Sequence, residues 1–315
     1  MLLDFLMLAA GLVLLVFAGD YLVKGAAGLA ENLGIPPLII GLTIVAFGTS
    51  APELMVSLQS ALSGAPDIAV GNVVGSNIAN ILLVMGLPAL IAPIHADQNG
   101  LARNVAVMLV FTVAFMWMMN DGILTRFEAA ILFAGILMFI VAQVLRARAP
   151  SSPADVPEDY HEELGEMPHS PGRIAVLLAG GLIGLPIAAQ LTVSGASGLA
   201  EAFGISQAVI GLTIVAIGTS LPELATTMVA AWRKNADVAL GNIIGSNIFN
   251  IAAIMGITGL IIPVPVSAIM IERDMWIMLA TAVLLTIICF ARITTGRYLG
   301  AAMSAAYAVY LVSVF

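Results

Sequence analysis

Two glutamates lie inside long apolar stretches of this 315-residue sequence. Glu53 belongs to the segment GTSAPELM and Glu223 to GTSLPELA, and each is near the middle of an apolar run of about 26 residues. A carboxylate at membrane depth costs a few kcal/mol to insert, so it normally faces the interior of a helix bundle and serves a function. The two glutamates are therefore the first candidates for a binding site.

Hydroxyl groups and a proline accompany each glutamate. The hydroxyl side chains just before the glutamates are Thr49, Ser50, Thr219 and Ser220. Pro52 and Pro222 have no amide hydrogen, so the carbonyl groups four residues earlier lose their helical partner. Broken backbone at membrane depth is tolerated where it lines a cavity or contacts a substrate. The sequence predicts a helix break beside each glutamate.

The next apolar run of each half carries a second polar stripe. Its members are Asn72, Ser76 and Asn80 in GNVVGSNIAN, and Asn242, Ser246 and Asn250 in GNIIGSNIFN. A spacing of four places each set of three on one helix face. Small residues spaced by four also let helices pack closely, and serine or asparagine can bridge two helices, so packing is an alternative interpretation of the stripe.

The predicted ligands are carboxylate, hydroxyl, amide and carbonyl oxygens, which suit a hard cation. Ca²⁺ takes six to eight such oxygens at about 2.3–2.6 Å in a flexible cage, and two carboxylates would neutralise one such ion. Mg²⁺ is disfavoured because it dehydrates reluctantly, and the three histidines, ligands of zinc and copper, all fall in predicted loops. The pattern favours Ca²⁺.

The chain is an internal duplication. At an offset of 170 residues, 41–86 aligns with 211–256 without a gap, and 25 of the 46 aligned positions are identical. The predicted organisation is a first repeat over residues 1–145, an acidic, proline-containing cytosolic linker over 146–172 and a second repeat over 173–315. The linker holds six of the nineteen acidic residues.

The elements that position these residues are membrane spans. The sequence is 61% hydrophobic and 10% charged, which excludes an ordinary water-soluble globule. A span needs about 20 apolar residues. The ten predicted spans are about 3–23, 37–62, 67–92, 103–119, 124–145, 173–199, 207–232, 237–262, 275–291 and 297–315. The N-terminal run lacks a basic n-region and is predicted to be a retained span rather than a cleaved signal.

Five spans per repeat is an odd number, so the two repeats must cross the membrane in opposite senses, as in many secondary transporters. With both termini outside, nine of the eleven Lys and Arg residues fall on the cytosolic side and two, Arg126 and Arg273, fall outside. This bias is the positive-inside pattern. The predicted fold class is thus an all-α polytopic membrane protein with ten transmembrane helices in two inverted five-helix repeats, located in the inner or plasma membrane.

The paired segments GLTIVAFGTSAPE…GNVVGSNIANILLVMG and GLTIVAIGTSLPE…GNIIGSNIFNIAAIMG resemble the two alpha repeats of the sodium/calcium exchanger family, within the cation/calcium exchanger superfamily. The resemblance implies an antiporter with an eight-helix core and two long, tilted helices that slide across it to alternate access. These would be the first span and the span that begins near Arg173.

The resemblance also implies a role for each site residue. Glu53, Glu223, Thr49 and Thr219 would bind Ca²⁺. The Na⁺ sites would be completed by the side chains of Ser50, Ser76, Ser220 and Ser246 and by the carbonyl groups of Ala46 and Ala216. Asn80 and Asn250 occupy two further site positions, at one of which sodium-coupled relatives carry an aspartate.

Asparagine at both positions leaves one carboxylate fewer for a cluster of cations. Ca²⁺/Na⁺ antiport is the expected function, with proton-coupled Ca²⁺ exchange as the near alternative and a passive cation channel as a more distant one. The sequence predicts no enzymatic activity and no cofactor. The expected partners are the transported ions and the lipid bilayer, with neither nucleic acid nor an obligatory protein partner.

Overall fold

The computed structural model describes residues 1–147, 168, 170–204 and 216–314, most of which are helical. The helices of the first half are α1 (Leu2–Leu33), α2 (Pro37–Ile40), α3 (Ala46–Thr49), α4 (Ala51–Leu62), α5 (Pro66–Ala79), α6 (Gly86–Ile91), α7 (Leu101–Met118) and α8 (Arg126–Ala147). Those of the second half are α9 (Pro171–Ala202), α10 (Ala216–Thr219), α11 (Leu221–Trp232), α12 (Ala236–Ile248), α13 (Met255–Ile261), α14 (Met275–Phe290) and α15 (Arg297–Val314).

Short stretches of wider or tighter helix connect several of these elements. The π-helical segments are Gly41–Val45, Asn80–Val84, Phe249–Ile254 and Met270–Asp274, and Met119–Asp121 forms a 3-10 turn. Two short strands, β1 (Ile123–Leu124) and β2 (Val264–Pro265), pair antiparallel, with Ile123 opposite Pro265 and Leu124 opposite Val264. The predicted all-helical polytopic fold is confirmed apart from this small two-stranded pairing between the halves.

Helix length and hydropathy identify the membrane-crossing segments. Within the described ranges, seven continuous helical segments are long and apolar enough to cross a membrane, and the pair 37–49 and 51–62, bent by 44°, makes an eighth. The predicted span 207–232 lies partly outside the described residues, and α15 coincides with the predicted tenth span. Most of the predicted linker, 148–167 and 169, also lies outside them.

The segments that carry the polar stripes form the centre of the bundle. In the most apolar part of Pro66–Ile91, 72% of the residues are buried, and the value for Ala236–Ile261 is 83%. The corresponding values for α1 and α9 are only 22% and 28%. The stripes therefore lie in the core, and α1 and α9 lie at its periphery with large apolar side chains exposed.

α1 and α9 pack against each other along their length in opposite directions. A Cβ atom added to Gly181 would lie 2.6 Å from the Cβ of Leu22, and one added to Gly11 would lie 2.6 Å from the main-chain nitrogen of Thr192. Only glycine permits this approach at these positions. Each helix has 32 residues, or about 48 Å, which exceeds the roughly 30 Å thickness of a hydrocarbon core.

The first helix is longer than the predicted span 3–23, since it continues to Leu33. The added part contains the sequence GAAGLA, and five of these six residues are buried. Its small residues contribute little hydropathy, but they allow neighbouring segments to approach closely. Gly34, with φ 64°, then ends the helix.

Contacts at the helix ends join loops that are distant in sequence. Ile94 and Thr295 exchange main-chain hydrogen bonds of 3.0 and 2.9 Å. Elsewhere, the amide nitrogen of Ser267 donates over 3.1 Å to Oδ1 of Asp67, which lies in the first turn of α5. Segments that are bonded in this way must lie at the same end of the bundle.

Candidate cation site

Glu53 lies directly after a break in its helix. α3 ends at Thr49, Ser50 adopts φ −84° and ψ 6°, and α4 begins at Ala51. Pro52 occupies the first turn of α4, where a missing amide hydrogen is tolerated. The predicted break is therefore present, and it places the side chain of Glu53 in the first turn of a new helix with 1% of the residue exposed.

Glu223 occupies the equivalent place in the second half. α10 ends at Thr219, Ser220 adopts φ −86° and ψ 3°, and α11 begins at Leu221 with Pro222 in its first turn. Glu223 is likewise 1% exposed. The amino-terminal end of a helix carries a partial positive charge that favours a carboxylate there.

A direct hydrogen bond connects the two halves at the glutamates. Ser50 Oγ, from the first half, donates to Glu223 Oε1, from the second, over 3.0 Å. Glu53 and Glu223 are both 1% exposed, so two carboxylates lie in this buried region. Two like charges held together in a dry interior favour a bound cation that neutralises both.

Thr49 adds a second link between the halves. Its hydroxyl donates to Asn242 Oδ1 over 3.1 Å and lies 3.3 Å from the carbonyl oxygen of Ala46 and 3.5 Å from Ser246 Oγ. The stripe residues of α12 thus meet the hydroxyl that precedes Glu53. Ser246 itself is fully buried.

Several buried oxygens and one amide nitrogen at this site meet no hydrogen-bond partner within the described parts of the chain. They are Glu53 Oε2, Glu223 Oε2, Ser220 Oγ, Asn250 Oδ1 and both polar atoms of Asn80. Buried polar atoms are normally paired, so such a cluster calls for a partner outside the protein. Most of these atoms are acceptors, and a hard cation is the partner that satisfies several acceptors at once.

The donor set contains only oxygen ligands and amides. Among the described residues, no group of three or more His, Cys, Asp or Glu side chains is arranged to hold a metal ion. The cluster therefore differs from a zinc or copper site and agrees with the hard-cation chemistry predicted from sequence. For a calcium ion, neutral hydroxyl, amide and carbonyl oxygens would have to supply the rest of the shell.

Of the other predicted residues, Ser76 is 5% exposed and lies one turn before Asn80 on the central helix of the first half. Thr219 ends α10, and the main chain of Ala216 begins it. Nothing is described of the Ala216 side chain. The structure therefore gathers Thr49, Ser50, Glu223 and Ser246 by direct contacts and places the remaining candidates on the same broken and central helices.

Asn80 and Asn250 both lie in π-helical segments, which the sequence did not predict. One segment is Asn80–Val84 and the other is Phe249–Ile254. Such segments are rare and are frequent at functional sites. No proline or glycine pattern in the sequence predicted them.

Asn77 is a further residue that sequence reasoning missed. It receives a hydrogen bond of 3.0 Å from Asn250 Nδ2 on its Oδ1, and its own Nδ2 donates to the carbonyl oxygen of Asn247 over 3.4 Å. Asn77 and Asn247 are separated by 170 residues, the offset of the duplication. Their contact identifies the line along which the two halves meet, and the signal available in the sequence was the repeated GSN.

Comparisons with known proteins give one consistent result. The family model described as sodium/calcium exchanger protein matches residues 3–145 and again 173–315. The putative antiporter CaxA of Alkalimonas amylolytica is 44% identical over 277 residues, which cover 87% of this chain and 86% of that protein. The sodium/calcium exchanger MaX1 of Methanosarcina acetivorans is 33% identical, with 99% of this chain and 98% of that protein covered.

A solved structure has the same fold. The sodium-calcium exchanger NCX_Mj, in a crystal soaked with Na⁺ and Ca²⁺, superposes with a TM-score of 0.85 at 32% sequence identity. The superposition covers 99% of each chain.

Proposed function

Because this chain belongs to the sodium/calcium exchanger family, a family of transporters, we propose that it is a secondary antiporter that exchanges Ca²⁺ for Na⁺. The observation that carries the proposal is the pair of buried glutamates, each at a helix break, joined across the two halves by Ser50. Each carboxylate keeps one oxygen without a hydrogen-bond partner among the described residues. Two negative charges match the charge of one calcium ion.

We assign the ion-binding positions to both halves of the molecule. Glu53, Glu223, Thr49 and Thr219 would bind Ca²⁺, and the Na⁺ sites would be completed by Ser50, Ser76, Ser220, Ser246 and the carbonyl groups of Ala46 and Ala216. Asn80 and Asn250 are two further positions of the proposed metal site. Both ions would use the two glutamates, so they compete for one site. The contact of Thr49 with Ser246 supports this assignment, because it brings together proposed Ca²⁺ and Na⁺ ligands from different halves.

The proposed architecture has ten spans in two inverted repeats, separated by the linker 146–172. Two observations on loops support it. With ten spans and an outer N-terminus, the loops that contain Ile94 and Thr295 both fall on the cytosolic side. The start of α5 with Asp67 and the loop with Ser267 both fall at the outer side. The two members of each pair are joined by hydrogen bonds. If the chain between the two members had one span fewer, they would lie on opposite sides of the membrane and could not be in contact.

The antiparallel packing of α1 and α9 is the third support. These helices begin the two proposed repeats, and opposite directions are what an inverted repeat requires. Their peripheral position and their glycine-lined contacts suit a pair that slides across the core to expose the site to each side in turn.

Cysteine labelling tests the orientation in the cell membrane with both termini outside. We expect a cysteine at Ser63 to react from outside and a cysteine at Ser151 to react only from the cytosol. Reaction of both positions from the same side would contradict the inverted arrangement.

The counter-ion is tested by flux measurements in sealed proteoliposomes. In the first arm, pH is clamped on both sides and vesicles loaded with Na⁺ are diluted into Na⁺-free buffer containing Ca²⁺. In the second arm, only a pH gradient is imposed in Na⁺-free buffer. Ca²⁺ accumulation in the first arm alone supports sodium coupling.

Accumulation in the second arm alone would reject sodium coupling, and the two asparagines at positions 80 and 250 would then be the first residues to examine. Equilibration without accumulation in both arms would indicate a channel.

A further inference from the structure

One asparagine amide on the central helix of the first half holds the turn that carries Glu53. Asn72 lies on α5, and its Nδ2 donates to the main-chain carbonyl of Glu53 over 3.2 Å. The same nitrogen donates to Ser57 Oγ over 2.9 Å. The amide thus forms hydrogen bonds with two consecutive turns of α4.

The second half repeats the arrangement with its own residues. Asn242 Nδ2 donates to the main-chain carbonyl of Glu223 over 3.3 Å and to Thr227 Oγ1 over 3.1 Å. The sequence separations, 19 and 15 residues, are the same as in the first half. The hydroxyl acceptor is serine in one half and threonine in the other, so the geometry is retained where the residue type changes.

The chemistry fixes the orientation of each amide. A main-chain carbonyl can only accept, so the NH₂ end of the side chain must face the helix, and its two hydrogens serve the two acceptors. The amide oxygen is then directed elsewhere. In Asn242 this oxygen accepts the bond of 3.1 Å from Thr49 Oγ1, which brings a hydroxyl of the opposite half to the same side chain.

The turns held in this way are the ones that most need support. Each follows a helix break at Ser50 or Ser220, and the first-half break bends the chain by 44°. A residue at such a joint has no continuous helix before it to fix its direction. α5 and α12 belong to the most buried segments of the fold, so an amide anchored there provides a rigid reference.

We propose that Asn72 and Asn242 are positioning residues that hold the two glutamates in the geometry required for Ca²⁺. The inference rests on the proposed function and deepens it. Neither residue is among the twelve proposed ligands. Each acts through the backbone of a glutamate, and Asn242 acts also through Thr49. Replacing either asparagine keeps all twelve proposed ligands in the sequence but removes hydrogen bonds that hold a glutamate in position.

The experiment compares Asn72→Leu and Asn242→Leu with Gln143→Met. Gln143 is a matched control, because its buried amide donates to Asn104 Oδ1 over 2.7 Å on helices α8 and α7. Ca²⁺ uptake into proteoliposomes gives the KM, and equilibrium Ca²⁺ binding to purified protein gives the Kd, both normalised to folded protein.

We expect the KM and Kd for Ca²⁺ to rise about tenfold or more in both leucine variants, since Asn72→Leu loses two partly buried hydrogen bonds and Asn242→Leu loses three buried ones. Gln143→Met is expected to lower the amount of folded protein and to leave both constants within about twofold of wild type. Thr227→Val, which removes one acceptor, should raise the KM by a smaller factor. Adding Thr227→Val to Asn242→Leu should raise the KM little further, because both changes remove the hydrogen bond between Asn242 and Thr227.

Wild-type constants in both leucine variants, with only a loss of folded protein, would overturn the proposal. If the leucine variants do not fold, Thr227→Val and Ser57→Ala decide, and an unchanged KM in both overturns it. Failure of the wild-type protein to bind Ca²⁺ would reject the proposed function itself, and the positioning role with it. Binding without Na⁺-driven uptake would reject sodium coupling alone, and the binding constants would still test the role of the asparagines.

Discussion

The two halves of the site contain the same residues and use them differently. Ser50 donates to Glu223 over 3.0 Å, whereas the hydroxyl of its counterpart, Ser220, meets no hydrogen-bond partner among the described residues. The Asn250 amide donates to Asn77, whereas neither polar atom of Asn80 is paired within the same ranges. A symmetric sequence therefore builds an asymmetric site in this one conformation.

This difference between the halves bears on the alternating access that we propose. If inverted repeats exchange conformations when the site turns to the other side of the membrane, each half takes over the contacts that the other half made before. In the opposite state we then expect Ser220 to donate to Glu53. Residues that look equivalent in sequence would thus act at different stages of the transport cycle.

The largest expected effect concerns the buried glutamate that each half contributes to the site. Glu53→Gln or Glu223→Gln leaves a single carboxylate to face a divalent ion, so we expect each variant to abolish gradient-driven Ca²⁺ uptake while the protein remains folded. Uptake by purified, folded variants in proteoliposomes measures this. Near wild-type exchange in both variants would show that the glutamates do not form the central site.

The next effect tests the difference between the halves. Ser50→Ala removes a hydrogen bond to a buried carboxylate, so we expect Ca²⁺ binding in the absence of a gradient to weaken by about tenfold. Ser220→Ala is expected to weaken binding less, since the Ser220 hydroxyl meets no partner within the described ranges in this state. Calorimetric titration with Ca²⁺ measures the affinity of both variants. Equal losses of affinity would show that the two serines contribute equally, against the asymmetry described above.

A smaller effect is expected at one end of α1, one of the two helices that we propose slide across the core. Asp20 on α1 binds Lys24 over 2.9 Å, and Asp20 Oδ1 accepts a hydrogen bond of 2.6 Å from Arg233 Nε at the end of α11. The counterparts of Asp20 and Lys24 in the second half, 170 residues later, are Gln190 and Ser194, which are uncharged. The contact of Asp20 with Arg233 thus ties α1 to the end of α11, and the positions of α9 equivalent to Asp20 and Lys24 carry no charge for such a tie.

Asp20→Asn should weaken the contact of α1 with Arg233. We expect it to change, by a small factor, the ratio of the Ca²⁺ affinities measured from the two sides of the membrane. The effect is small because partly exposed ion pairs contribute at most about 1 kcal/mol. Gln190→Ala is the matched control and should leave the ratio unchanged. Restoration of the ratio by Asp20→Arg combined with Arg233→Asp would support the tie, and an unaltered ratio in Asp20→Asn would argue against it.

The smallest effect is expected for changes in the linker that joins the two halves. The proposed linker, most of which lies outside the described residues, belongs to neither repeat. Shortening 149–170 by a few residues should leave Na⁺-driven uptake unchanged in the flux assay. A marked loss of the response to Ca²⁺ in folded protein would instead assign a sensing role to its six acidic residues.

Local chemistry made part of this site predictable from sequence. Proline next to a glutamate in an apolar run predicts a broken helix with a buried carboxylate, and both breaks are present. The ends of α1 were harder to predict, because glycine and alanine between residues 25 and 30 pack closely without raising hydropathy. The different uses of Ser50 and Ser220 could not be predicted, because the same segment GTS precedes both glutamates and carries no information about which conformation the protein adopts.

The π-helical segments also determine which way the helices face beyond the two asparagines. A π-turn holds about one residue more than the α-turn it replaces, so the side chains after it are rotated about the helix axis relative to an uninterrupted α-helix. Asn80–Val84 and Phe249–Ile254 end at equivalent positions of the duplication and differ by one residue at their start. Both halves therefore carry the same change of register, and residues four positions after Asn80 or Asn250 do not continue the face on which the polar stripe lies.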